Sequence, residues 1–164
     1  MNKTHISKLF KMLDVNLWSN PERSVQIALD SQKGFDYFNP DTIKKSILRV
    51  GTELTKEEKK DRQINPAAKV YTCIFDHFTP QGISQCVQLA QELALALSAI
   101  QAETDKIATW SKRGIKKVKF SPAPDCCDIC KKLSGSYKIQ EAPIAVLDTH
   151  LGCRCSISTD ADSF

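Results

Sequence analysis

Five cysteines and one histidine crowd into residues 126–155, and their spacing is that of a metal site. Cys127-x2-Cys130 is followed, nineteen residues on, by His150-x2-Cys153-x-Cys155. Two ligands separated by two residues can turn both side chains toward one ion in a tight knuckle. Two such knuckles supply the four soft or borderline donors that zinc takes in a closed tetrahedron. The preferred set is Cys127, Cys130, His150 and Cys153, with Cys155 able to replace Cys153 because a Cys-x-Cys pair offers either sulfur. Cys126 is expected to point away from the knuckle. The alternative chemistry is a disulfide from Cys127 or Cys130 to Cys153 or Cys155. The isolated Cys73 and Cys86 read as small buried apolar residues.

A catalytic zinc keeps one position open for water, whereas this cluster has more ligands than a closed site needs, so the expectation is one structural zinc. The zinc deaminases place Pro beside Cys-x2-Cys and add a His-x-Glu or Cys-x-Glu pair. Here Pro124 stands three residues before Cys127, and no His-x-Glu or Cys-x-Glu occurs in the chain. No P-loop, Gly-rich dinucleotide turn or Ser nucleophile elbow is found. Asp76/His77 and Asp148/His150 are polar pairs that an enzyme can use, but an Asp beside a ligand also serves simply to orient it.

The elements that must position this cluster are mostly helical. Asn20-Pro21, Asn39-Pro40, Asn65-Pro66 and Thr79-Pro80 share one start signal. The Asn or Thr side chain caps an exposed N–H, and Pro in the next place loses no hydrogen bond. An earlier helix is read from Ile6, Leu9, Phe10 and Leu13. The longest helix is expected from Pro80, through Ile83, Val87, Ala90, Leu93, Ala94, Leu97 and Ile100 to Trp110, with Gly114 ending it. The polar stretch Thr52–Arg62 is the candidate internal boundary. After Gly114 the pattern changes: Ile115–Phe120 alternates apolar and basic residues, a strand signal, and Ser136–Ile139 is a second strand after the Ser134-Gly135 turn.

The fold class is therefore α+β: a mainly helical N-terminal two-thirds and a small β-rich, zinc-knuckle-type C-terminal unit. Residues 1–62 form a helical region, and residues 63–164 carry long helices into the metal-binding unit at 115–157. That unit is too small to hold itself by apolar burial alone, so a metal clip makes physical sense.

With 41% hydrophobic and 26% charged residues in 164, the chain can build a core. Its formal charge is +4, but Thr104–Lys138 holds nine Lys/Arg against three Asp/Glu, so the excess is local. Lys112, Arg113, Lys116, Lys117 and Lys119, with Lys131 and Lys132, either contact phosphates in a non-specific, salt-dependent way or form a solvated strand face. The most apolar run, Leu89–Ile100, is interrupted by Gln91 and Glu92 and is too short to cross a bilayer. No signal-peptide pattern opens the sequence, so a cytoplasmic setting with free thiols or metal ligands is expected.

The stretch from Thr104 to Ile157 resembles the C-terminal motif of the phage head morphogenesis (minor capsid) proteins of the Mu and SPP1 type. The parts occur in the same order: Gly114, the basic-apolar strand with Val118 and Phe120, Asp125, Cys127/Cys130, Leu133/Gly135, and His150-x2-Cys153-Arg154-Cys155. The match covers about a third of the chain. The family often has Pro after the His, where Leu151 stands here, and residues 1–80 carry no resemblance. The resemblance implies a phage or prophage protein of the virion or the host bacterial cytoplasm. It would work beside a portal or capsid protein and possess non-enzymatic character, with DNA as a possible companion. Two further readings stand beside it: a phage- or bacterium-derived toxin or effector enzyme that uses the metal unit as scaffold, and a non-specific nucleic-acid-binding protein. Arg154, between two cysteines, is expected to orient the site through backbone carbonyls.

Overall fold

The structure, a computed structural model, describes residues 3–34 and 38–160. The chain divides into two compact units, residues 2–98 and 99–164. The class is α+β, as the sequence pattern implies.

The first unit is helical. It holds α1 (Lys3–Met12), α2 (Pro21–Asp30), α3 (Pro40–Leu48), α4 (Lys56–Asp61), α5 (Ile74–His77), α6 (Pro80–Ile83) and the start of α7 (Cys86–Lys112). Asn20 caps α2 by accepting from the Arg23 N–H, and Asn39 caps α3 by accepting from the Asp41 and Thr42 N–H groups. Each cap satisfies a donor that has no partner within its helix. Val25, Ile43, Ile47, Val70, Ile74 and Leu93 are fully buried between these elements.

Two of the expected starts differ. Asn65-Pro66 opens a single turn, its side chain accepting from the Ala67 N–H at 2.9 Å. The chain then runs extended, because Val70 and Thr72 exchange backbone hydrogen bonds with Leu54 and Thr52. Thr79-Pro80 starts only the short α6, and the long helix begins afresh at Cys86. The stretch 52–62, expected as an internal boundary, lies inside the first unit. Thr55 and Glu58 form a capping box there, Leu54 is buried, and Lys59 is buried against Glu53 at 3.0 Å. The two units divide at 98/99, inside α7, and not at 62.

The second unit begins in the second half of α7. Gly114, at φ +80, ends that helix, and its N–H reaches the Ser111 carbonyl. Only glycine takes such a backbone at no cost. Then follow β1 (Lys117–Ser121), α8 (Asp128–Lys132), β2 (Gly135–Lys138), a 3-10 turn at Ile139–Glu141, α9 (Ala145–Asp148) and β3 (Ser156–Thr159). The three strands form an antiparallel sheet in the order β2-β1-β3. Val118 pairs with Tyr137 and Thr159, and Phe120 with Gly135 and Ile157. Alternation sends Val118 and Phe120 to one face and Lys117 and Lys119 to the other. The apolar face packs Phe120, Cys130, Ala145, Cys155 and Ile157 together, with Ile107, Trp110 and Tyr137 against them. Full burial of Phe120 supplies about 2–3 kcal/mol, and few other large side chains share that core.

Candidate metal centre

Cys127 and Cys130 are brought together by α8. Cys127 occupies the N-cap in extended conformation (φ −73, ψ 169), and Cys130 lies one turn later on the same side. Their sulfurs stand 3.5 Å apart. Cys127 is exposed, whereas Cys130 is wholly buried against Phe120. The two thiols have opposite tendencies. The Cys130 backbone N–H, the neighbouring sulfur, the Ile129 N–H and the charge of His150 together draw Cys127 down to about 7. Burial first, and then the adjacent sulfurs, push Cys130 up. Two sulfurs this close readily hold one negative charge, and the second thiolate needs a cation beside it.

His150 follows α9. Its Nε2 lies 3.6 Å from the Cys130 sulfur, and its Nδ1 lies 2.8 Å from the Leu151 carbonyl oxygen. Since a carbonyl only accepts, Nδ1 carries a proton; in the neutral form of the ring, the form a metal takes, the Nε2 lone pair then faces the sulfurs. Gly152, at φ +74, then turns the chain so that the Cys153 N–H meets the His150 carbonyl at 3.2 Å. The turn carries the Cys153 sulfur to 3.7 Å from Cys130. Cys155 is buried, and its sulfur accepts the Ala123 N–H at 3.4 Å.

These distances can be compared with what a zinc ion demands. For Zn–S of about 2.3 Å, a tetrahedron has S···S edges of about 3.8 Å; with Zn–N of about 2.0–2.1 Å its S···N edge is about 3.6 Å. The separations of 3.5, 3.7 and 3.6 Å that meet at Cys130 are edges of that size. Two triads of donor atoms, Cys127/Cys130/His150 and Cys130/Cys153/Cys155, each lie within 4.8 Å of one another and share Cys130. These Cys/His groups can hold a metal ion. They line a hollow of about 210 Å³. All seven cysteines are free thiols. Cys126 belongs to neither triad; it packs, partly buried, against the Phe120 cluster.

Around the donors, Arg154 forms an ion pair with Asp125. The expected contact of Arg154 with backbone carbonyls is not the one it makes. Instead its guanidinium links the two ligand-bearing loops, because Asp125 precedes the first knuckle and Arg154 sits within the second. Glu103, which the sequence reading did not single out, is a buried carboxylate of α7 that accepts the Ala145 N–H at 2.7 Å. It caps α9, the element that delivers His150. Burial raises its pKa. A lone Glu in an apolar helical face was the available signal.

The polar pairs have structural partners. His77 is buried, with Nδ1 2.9 Å from the buried Ser24 hydroxyl, and Asp76 approaches Arg23 at 4.0 Å. Asp148 accepts the Ile144 N–H at 2.8 Å.

The basic residues do not form one surface. Lys117 and Lys119 point from the exposed sheet face. Lys112, Arg113 and Lys116 are exposed at the end of α7 and in the following turn. Lys131 and Lys132 lie on α8, which packs on the opposite, apolar face through Cys130, and Lys131 is paired with Asp128 at 3.2 Å.

No helix among the described residues is long and apolar enough to cross a membrane. No family model, curated protein or solved structure matches the chain.

Proposed function

We propose that residues 99–164 are a zinc-stabilised, non-enzymatic interaction module of the phage head-morphogenesis kind. The observation that carries the metal reading is the set of donor separations at Cys130, which have the lengths of the edges of a zinc-thiolate-imidazole tetrahedron. Thiolates with one imidazole suit zinc among the common divalent ions, since Mg²⁺ and Ca²⁺ prefer oxygen. The ion is read as structural. Cys127, Cys130 and His150 supply three positions from one triad, and Cys153 or Cys155, from the second triad that shares Cys130, supplies the fourth.

The order of parts around the site supports the family reading. Gly114, the strand residues Val118 and Phe120, Asp125 and the two knuckles stand along the chain in the order of the minor capsid motif they resemble. That reading gives the protein a portal or capsid protein as partner, in the virion or the host cytoplasm. The structural engagement of His77, Asp76 and Asp148 favours it over a toxin or effector enzyme that would use those residues.

The test is native mass spectrometry of protein purified under reducing conditions, followed by chelation and limited proteolysis. One zinc per chain, with residues 115–155 becoming protease-sensitive on chelation, is the expected result. No metal, with those residues equally resistant before and after chelation, overturns it. Co-purification with a portal or capsid protein in particle preparations tests the family part separately.

A further inference from the structure

The three-stranded sheet has a second face that the metal centre does not use. On it β1 presents Lys117 and Lys119, β2 presents Ser136 and Lys138, and β3 presents Ser158. The register sets Lys117 directly opposite Lys138, and Lys119 between Ser136 and Ser158. Like charges directly opposite on one sheet face work against folding. Their presence beside hydroxyls fits a ligand that brings negative charge from outside. Asp160 also lies here, taking the Ser136 hydroxyl, so the face carries three lysines against one carboxylate. Neither Lys119 nor Lys138 is in an ion pair among the described residues. Beside this face, Lys116, Lys117 and Lys138 edge a hollow of about 480 Å³ at the end of α7.

We propose that this face binds the phosphate backbone of duplex nucleic acid. Lysines two apart on a strand stand about 6.7 Å from each other, and one strand of a duplex carries a phosphate every ~3.4 Å of axis. Lys117 and Lys119 therefore reach nearby phosphates, with Lys138 alongside and the serine hydroxyls able to donate to phosphate oxygens. No aromatic side chain stands among these face residues, so base stacking, the usual device for single strands, has no platform here. Binding is sequence-independent, since backbone contacts carry no base information. The inference deepens the interaction-module reading and rests on it to this extent: the metal centre braces the sheet from its other side. Lys131 and Lys132, beyond the apolar face, take no part.

The experiment is fluorescence anisotropy of a random-sequence duplex with the full-length, zinc-loaded protein between 50 and 200 mM salt, with metal content measured on the same sample. Three phosphate contacts give a log–log salt slope of about −2.7. Lys119→Gln/Lys138→Gln is expected to weaken binding about tenfold at low salt and to flatten the slope to about −0.9, while Lys131→Gln/Lys132→Gln changes neither. Equal effects of the two double variants would show a diffuse charge effect and overturn the assignment to this face. No binding at 50 mM salt by protein that carries its zinc overturns the proposal while leaving the metal reading intact. Displacement of the duplex by polyglutamate at equal charge concentration assigns the face to an acidic protein and likewise overturns it.

Discussion

Replacing Cys127 by Ser separates a metal ligand from a core residue more cleanly than any other change in this chain. Cys127 is exposed and contributes no apolar burial, whereas Cys130 and Cys155 are buried and their loss would also open the core. An exposed Cys→Ser change with no further role alters stability by less than about 0.5 kcal/mol. If Cys127 is one of four ligands to a structural zinc, its share of a binding free energy of about 10–16 kcal/mol is ~2.5–4 kcal/mol. That corresponds to zinc binding weakened roughly 10²–10³-fold. Around the donors, Phe120 and Ile157 are the large side chains of the buried cluster, so a bound metal would carry much of the local stability there. In Cys127→Ser, zinc competition against a chromophoric chelator and protease mapping should show weak zinc and cleavage within 115–155. The helical signal should persist in large part, since most of the helices belong to the first unit. The neighbouring Cys126→Ser is the control: Cys126 lies outside both donor triads and should keep its zinc. If both variants bind zinc like the parent and residues 115–155 stay resistant, the reasoning about the first knuckle is wrong.

Two other predictions concern buried titratable groups. Glu103 has its pKa raised by burial, so its charge opposes folding at neutral pH, and that opposition is relieved as pH falls through the raised value toward 4.5. Glu103→Gln keeps an acceptor for the Ala145 N–H and should be at least as stable as the parent at pH 7, while Glu103→Ala should lose about 1–3 kcal/mol by denaturant titration; equal losses would show that the cap is not what matters. His77 has its pKa lowered, first by burial, so its contribution is present above 6.5 and is lost as pH falls through the depressed value. The urea midpoint of the helical signal should fall between pH 6.5 and 5, and should fall less in His77→Gln; identical pH profiles would exclude the histidine as the cause.

How much of this was legible in the sequence follows from the range of each signal. Asn20-Pro21 and Asn39-Pro40 name their helices because a cap is a local event, settled by residues three apart. Asn65-Pro66 carries the same local signal, but backbone bonds from the Leu54 N–H to the Val70 carbonyl and from the Thr72 N–H to the Thr52 carbonyl hold the following residues extended. The polar stretch 52–62 reads as a boundary from composition, yet Lys59 is buried through its ion pair with Glu53, a partner that composition does not show. The alternation of Ile115–Phe120 gives the strand and its two faces directly. The third strand, Ser156–Thr159, escapes because only Ile157 marks its buried side. Ligand spacing points to the site. The fact that Cys130 is the common vertex of both triads, and that Arg154 reaches Asp125, depends on a turn at Gly152 and on packing over Phe120. The basic run reads as one patch in sequence, but the sheet separates Lys119 from Lys131 and adds Lys138.

The central claim is a closed zinc site built on Cys130, and zinc-edge X-ray absorption of the purified, reduced protein tests it most directly. The account predicts a four-coordinate ion with three sulfurs at about 2.3 Å and one imidazole nitrogen at about 2.0–2.1 Å. A spectrum dominated by oxygen or nitrogen scatterers, or no stoichiometric zinc to measure, would contradict it.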